Sequence, residues 1–90
     1  MTEPSDLRLK KNITTFNPKR IDVNWVTFQW RDEEFKIELG AVAQRLEIDY
    51  PEFVVTDPET QMKAIKYTQL LIAKVAELEH RIKLLELNNT

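Results

Sequence analysis

Residues 68–88 read TQLLIAKVAELEHRIKLLELN, and this stretch decides the predicted fold. Five apolar side chains in it recur at alternating spacings of four and three residues; they are Leu71, Val75, Leu78, Ile82 and Leu85. Such a seven-residue repeat is typical of a helix that packs against other helices along one seam. We therefore predict a helix over 68–88, about 30 Å long, with Thr68 as its N-cap.

The charged residues beside this seam favour a parallel assembly. Heptad position g holds Lys74 and Arg81, and position e holds Glu79 and Glu86. In parallel, in-register helices each g residue faces the e residue five positions on in its neighbour, so both contacts join opposite charges. The competing interpretation is an amphipathic helix packed on its own domain. The number of chains stays open, because β-branched residues at position a favour two strands, whereas extra apolar side chains beside the seam favour three or more. Those extra side chains are Leu70, Ile72 and Leu84.

The residues before this helix predict short strands, turns and one short helix. Four segments have the alternation or the β-branched content of strands, namely 21–31, 35–39, 53–55 and 62–67. Polar turn residues follow the first of them at 32–34 and join the last two at 57–60. Gly40 precedes a helical pattern at 41–46, which must end before Pro51. The predicted class is α+β, with small N-terminal strands and a short helix followed by a long C-terminal helix.

Composition narrows the classes of function. The chain has 90 residues, a formal net charge of −2, no cysteine and a single histidine, His80, at an outward heptad position. Disulfides and thiolate metal sites are excluded, and we predict no metal and no cofactor. The charge balance predicts no broad basic surface for nucleic acid, and no apolar run approaches the roughly 20 residues that span a bilayer. A domain of this size commonly depends on a partner subunit for stability, which favours self-association.

The N-terminal segment holds the candidate catalytic residues. Residues 5–13 read SDLRLKKNI, in which Ser5 could be a nucleophile and Lys10 its base. For this chemistry the lysine must be neutral, which requires desolvation or a nearby positive charge. A separation of five residues aligns the two side chains on neither a helix nor a strand, so a bend or a neighbouring chain has to bring them together. By spacing alone, a solvated polar leader is the more frequent outcome.

Five short motifs occur along the chain in one order. SDLRLKKNI at 5–13 is followed by VTFQW at 26–30, GAVAQ at 40–44, YPEFV at 50–54 and KAIKY at 63–67. The series, with the helical repeat after it, resembles the chaperone-of-endosialidase family. Members of that family are intramolecular chaperone auto-processing domains at the C-terminal ends of phage tail spikes and fibres.

The resemblance implies a chaperone that works as a homotrimer. Its parts would be a leader at 1–4, a chaperone core at 5–67 and a C-terminal helix at 68–90 that forms a parallel trimeric coiled coil. The folding client would be an N-terminal fibre or spike polypeptide, in the host cytoplasm during virion assembly or on the virion tail. No nucleic acid, membrane or cofactor is implied. The chain is then either a domain of a longer fibre protein or a stand-alone chaperone acting in trans.

The resemblance also implies a single-turnover serine endopeptidase activity. Ser5 would be the nucleophile and Lys10 its base in a cut of the Pro4–Ser5 bond, made once the subunits have packed together. The supporting motif residues are Asp6, Arg8 and Asn12. Two alternatives remain open. One is a non-catalytic trimerisation and folding module, and the other is a coiled-coil adaptor or nucleic-acid-binding regulator.

Overall fold

The described chain, residues 2–33 and 35–89 of a computed structural model, folds into two small sheets and two helices. In chain order its elements are a 3₁₀ turn at Leu7–Leu9, strands β1 (Val26–Phe28) and β2 (Glu38–Gly40), helix α1 (Ala43–Asp49), a 3₁₀ turn at Pro51–Phe53, strands β3 (Val54–Thr56) and β4 (Lys63–Ile65), and helix α2 (Tyr67–Asn88). This order confirms the predicted α+β class.

Both sheets are antiparallel hairpins of two strands. Val26 of β1 lies opposite Gly40 of β2, and Val54 of β3 lies opposite Ile65 of β4. The segments predicted at 21–31 and 35–39 therefore supply the strands of one hairpin, and those predicted at 53–55 and 62–67 supply the strands of the other. The strand predicted over 21–31 is much shorter, however, because the backbone N–H and C=O groups of Ile21 bond to side chains of α2 instead of a neighbouring strand.

The turns and the end of α1 follow from local chemistry, as predicted. Asp57 Oδ1 accepts hydrogen bonds from the backbone N–H groups of Glu59 at 2.8 Å and Thr60 at 3.3 Å. Helix α1 ends at Asp49, and Tyr50 leaves the helical region with φ −133° and ψ 63° ahead of Pro51. In the turn at 32–34, the N–H of Glu33 donates to the carbonyl of Trp30 at 3.0 Å, and Glu34 lies outside the described residues.

Gly40 allows a close approach between the first hairpin and α2. A Cβ atom on this residue would lie 2.7 Å from Tyr67 Oη and 3.0 Å from Phe28 Cε1, which is closer than such atoms can sit without a shift. The same Tyr67 hydroxyl accepts a hydrogen bond from the N–H of Ala41 at 3.1 Å. The missing side chain at Gly40 thus lets β2 lie against the first residue of α2.

The hydrophobic core is small and lies between the two helices. Its buried apolar residues are Ile21, Leu46, Leu70 and Ala73. Partly buried side chains pack around them from the chain before β1, from the segment between α1 and β3, and from the second hairpin; these are Val23, Tyr50, Phe53, Val54 and Ile65. The first half of α2 therefore closes the domain, and the helix then continues past it.

Helix α2 is buried along one side and exposed along the predicted seam. The sequence placed Leu70 beside the seam as part of a wider apolar stripe. That prediction is wrong, because Leu70 is 0 % exposed and lies in the core of its own domain. The five seam residues range from 39 % exposed at Leu78 to 58 % at Leu85. The predicted N-cap is also wrong, because Lys66 precedes the helix without a capping side chain and Thr68 lies in its first turn. None of the described helices has the length and apolar content needed to cross a membrane.

Candidate functional site

The structure brings together the two side chains that the sequence suggested as a dyad. Lys10 Nζ donates a hydrogen bond to Ser5 Oγ at 2.7 Å. The required bend is the 3₁₀ turn at Leu7–Leu9, in which the N–H groups of Leu9 and Lys10 donate to the carbonyls of Asp6 and Leu7 at 3.0 and 3.2 Å. The serine and the lysine therefore meet through local chain geometry, within one subunit.

Asp6 and Arg8 hold this turn in place. Asp6 Oδ1 accepts from the N–H of Arg8 at 2.8 Å, and the same carboxylate binds the Arg8 guanidinium at 2.8 and 3.1 Å. The side-chain hydrogen bond from Arg8, followed by the backbone bond, lowers the pKa of Asp6 below its usual range. Asp6 in turn raises the pKa of Arg8. An ionised Asp6 caps the turn, so these two motif residues shape the backbone between Ser5 and Lys10.

Asn12 redirects the chain directly after the dyad. Its backbone is left-handed, with φ 54°. Asparagine adopts this conformation at lower cost than most residues, because its short polar side chain can bond locally. The motif named Asn12 as a supporting residue, and the backbone supplies the physical reason for an asparagine there.

The dyad lies on an exposed segment, which we call the N-terminal arm (residues 2–20). Every residue from 2 to 17 is exposed, including the apolar side chains of Leu7, Leu9, Ile13 and Phe16. Within the described chain no apolar layer covers the amine of Lys10. For Lys10 to act as a base, its desolvation would have to come from outside the single chain.

The arm joins the core at Ile21 through a charged cluster that the sequence did not predict. Glu77 Oε1 accepts hydrogen bonds from the N–H of Ile21 at 3.0 Å and from Lys74 Nζ at 3.1 Å. Lys74 Nζ also donates to the carbonyl of Ile21. Arg81 Nη2 lies 2.5 Å from Glu77 Oε2, an ion contact without hydrogen-bond geometry. We call Glu77, Lys74 and Arg81 with the Ile21 backbone the arm anchor.

The arm anchor keeps a buried carboxylate ionised. The hydrogen bond from Ile21 is the largest cause that lowers the pKa of Glu77 to about 2; the hydrogen bond and charge of Lys74 and the charge of Arg81 add to it, and desolvation opposes them. Helical spacing alone could have suggested the contacts of Glu77 with residues three before and four after it. The contact with Ile21, 56 residues away in sequence, had no signal in the chain.

The anchor also bears on the predicted contacts between helices. Lys74 and Arg81, the two g residues, are both engaged with Glu77 inside one chain. Their pairing with Glu79 and Glu86 of a neighbouring helix stays a prediction. His80 is exposed, and within residues 2–33 and 35–89 no group of three or more histidine or acidic side chains is placed to hold a metal ion.

Comparison with known proteins identifies the family to which this sequence is similar. The family model described as chaperone of endosialidase matches residues 5–55, more than half of the 90 residues. The match begins at the dyad serine and runs through β1, β2 and α1 into β3, so it covers the arm and most of the domain but not α2. Neither the curated proteins nor the solved structures include a significant match to this chain.

Proposed function

This chain belongs to the chaperone-of-endosialidase family, and from that premise we propose that it assembles as a homotrimer and assists the folding of an N-terminal phage fibre or spike polypeptide. It then releases itself by cutting the Pro4–Ser5 bond. The observation that carries the cleavage is the 2.7 Å hydrogen bond between Lys10 Nζ and Ser5 Oγ. In this proposal the chaperone acts in the host cytoplasm while the virion assembles, or remains on the virion tail.

The proposed reaction is an acyl transfer within the chain. A neutral Lys10 amine takes the hydroxyl proton of Ser5 while Oγ attacks the carbonyl carbon of Pro4. The peptide C–N bond breaks as Lys10 returns that proton to the nitrogen of Ser5, which leaves residues 1–4 as an ester on Oγ. Water then hydrolyses the ester, releases the Pro4 carboxylate and restores the hydroxyl group.

Assembly would supply what the single chain lacks. The hydrogen bond runs from the Lys10 amine to Ser5, and it must reverse when the amine acts as a base. Burial of Lys10 would disfavour its charged form and so promote that reversal. Leu7 and Leu9, exposed on the arm beside the lysine, provide apolar surface that a neighbouring subunit could cover. Cleavage would then follow trimer formation.

The exposed seam of α2 supports the homotrimer. Its five apolar side chains form a continuous stripe on one side of the helix, and exposed stripes of this kind mark interaction surfaces. A different side of α2 already packs on the domain through Leu70 and Ala73. Neighbouring helices can therefore reach the seam without unfolding the core, and a parallel coiled coil over residues 68–90 satisfies it. Residues 5–67 would form the chaperone core beside it.

Intact-mass measurement of the purified protein tests the cleavage. We expect the wild type to lose residues 1–4, and Ser5→Ala and Lys10→Ala to keep the full-length mass. Lys11→Ala is the matched control, because this neighbouring lysine does not contact Ser5 in the structure and its loss should leave cleavage intact. A full-length wild-type mass in a protein that sediments as a trimer would reject self-cleavage.

A second candidate is the same trimeric folding module without cleavage, acting in cis or in trans. The exposure of the dyad in the single chain favours it, because nothing there buries the Lys10 amine as a lysine base requires. Under this alternative, wild type and Ser5→Ala would show the same full-length mass. Both would also give the same yield of folded fibre when fused behind a fibre polypeptide.

A further inference from the structure

The arm anchor contains a buried carboxylate, that of Glu77, which has no part in the proposed reaction of Ser5 and Lys10. Glu77 is 5 % exposed and lies 56 residues from the backbone group that it binds. Buried acidic side chains are rare unless they are paired and hydrogen-bonded. Here the pairing partners are Lys74 and Arg81, so the charge itself is compensated. What remains to be explained is why the cluster grips the chain at Ile21.

The grip acts on both peptide groups of one residue. Glu77 accepts from the N–H of Ile21, and Lys74 donates to its C=O, while the Ile21 side chain is buried in the core. Burial of an apolar side chain is not directional. Hydrogen bonds are directional, and here one uses the N–H and the other the C=O of the same residue. Together they fix the orientation of the backbone at Ile21, where the arm meets α2. Among the described residues, Ile21 is the first buried position along the chain.

We infer that Glu77 and Lys74 are positioning residues that fix the root of the dyad-bearing arm to the helix with the oligomer seam. The inference rests on the proposed function and deepens it, because it names the groups that link assembly to the cleavage site. Lys74 and Arg81 belong to the anchor and also flank the seam as its g residues. The orientation of the arm therefore depends on the same helix surface that receives the neighbouring subunits.

Variants that remove the grip together with both members of the Lys74–Glu77 ion pair test this role in the full chain. The double change Lys74→Met with Glu77→Leu abolishes both hydrogen bonds to Ile21 and replaces the ion pair by apolar side chains, an exchange that commonly preserves folding. Glu77→Gln keeps an acceptor for the N–H of Ile21 and is the conservative variant. Lys83→Met removes a lysine from the same helix away from the anchor and is the control.

Three measurements apply to each variant: amide exchange at Ile21, the time course of the intact mass, and sedimentation. In the double variant we expect Ile21 to exchange about tenfold faster or more, as for one lost hydrogen bond. Cleavage should slow on the order of tenfold to a hundredfold, because the reacting groups lose their placement. The trimer and the slow exchange at Leu70 should persist. Glu77→Gln should retain most of the cleavage rate, and Lys83→Met should match the wild type.

Two results would overturn the inference: a trimeric double variant that cleaves at the wild-type rate, or unchanged exchange at Ile21. Should the double variant not fold, the second variant is Lys74→Met alone, in which Arg81 still compensates the charge of Glu77; wild-type cleavage in a trimer of it would likewise count against the role. A wild type that never cleaves rejects the proposed self-cleavage instead. In that case the exchange rate of Ile21 still decides whether Glu77 and Lys74 anchor the arm.

Discussion

Helix α2 has two sides that carry similar repeats and have opposite surroundings. On the domain side, Leu70, Ala73 and Glu77 follow a three-then-four spacing and are buried. On the seam side, the spacing is four-then-three, and the residues are about half exposed; they are Leu71, Val75, Leu78, Ile82 and Leu85. The two series start one residue apart, which is about 100° around a helix. One helix can therefore close its own domain and still offer a free face to other chains.

The largest effect is expected from a substitution that disrupts the seam side of α2. Leu78→Asp would place one carboxylate from every subunit in the apolar centre of the proposed coiled coil, where each buried unpaired charge costs several kcal/mol. We expect monomers in sedimentation at all practical concentrations. His80→Asp, on the exposed side of the same turn, should stay assembled. An assembled Leu78→Asp protein would mean that subunits meet elsewhere.

A pair of neighbouring leucines compares the two sides directly. Leu70→Ala should cost about 2–5 kcal/mol of unfolding free energy, because it empties a fully buried site. That loss should be the same at every protein concentration. Leu71→Ala, at a 48 % exposed position, should act through the assembly, so its effect should grow as the protein is diluted. Denaturant unfolding at two protein concentrations makes the comparison. Equal, concentration-independent losses would contradict the division between the two sides.

A smaller loss of unfolding free energy is expected from changes at the contact between Gly40 and Tyr67, the first residue of α2. In Gly40→Ala the new methyl group meets Tyr67 Oη at 2.7 Å, and such overpacking costs about 1–3 kcal/mol. Tyr67→Phe removes the oxygen that the methyl meets. The double variant should therefore lose less unfolding free energy than the two single losses added together. Additive losses would show that the strain lies elsewhere, for example at Phe28.

A further prediction tests the domain side through the pH dependence of stability. The pKa of Glu77 is lowered from 4.5 to about 2 in the folded chain, chiefly by the hydrogen bond from Ile21. Below pH 4.5 the unfolded chain binds a proton that the folded chain does not, so this contribution to stability is complete above pH 4.5 and is lost as the pH falls toward 2. Denaturant unfolding from pH 6 to pH 2 should show a gap between wild type and Glu77→Gln that narrows across this window. A gap that stays constant would exclude Glu77 as its source.

The sequence predicted the local features of the fold well. Asp57 starts its turn, Tyr50 ends α1 ahead of Pro51, and each of the four predicted strand segments contributes a strand to one of the two hairpins. Each of these depends on residues close together in the chain. The dyad contact belongs to the same group, because a turn capped by Asp6 brings Ser5 and Lys10 together over five residues.

The predictions that failed concern contacts between distant residues. Helical period alone could not show that Leu70 faces its own domain, because two apolar series lie on α2 and only the position of the core separates them. Nor could the extent of the first strand be predicted, since the Ile21 backbone bonds to Glu77 instead of a strand. Lys66 rather than Thr68 precedes α2, because the helix begins at Tyr67, whose hydroxyl is held by Ala41.

By itself, the sequence determined the family motifs, the order of the elements and the spacing that makes a Ser–Lys contact possible, because these depend on local backbone preference and on the identity of neighbouring residues. Only the tertiary structure showed which side of α2 is buried against its own domain and at which residue the N-terminal arm is hydrogen-bonded to that helix. Those outcomes depend on burial and on hydrogen bonds across more than 50 residues, and no periodicity in the chain encodes them.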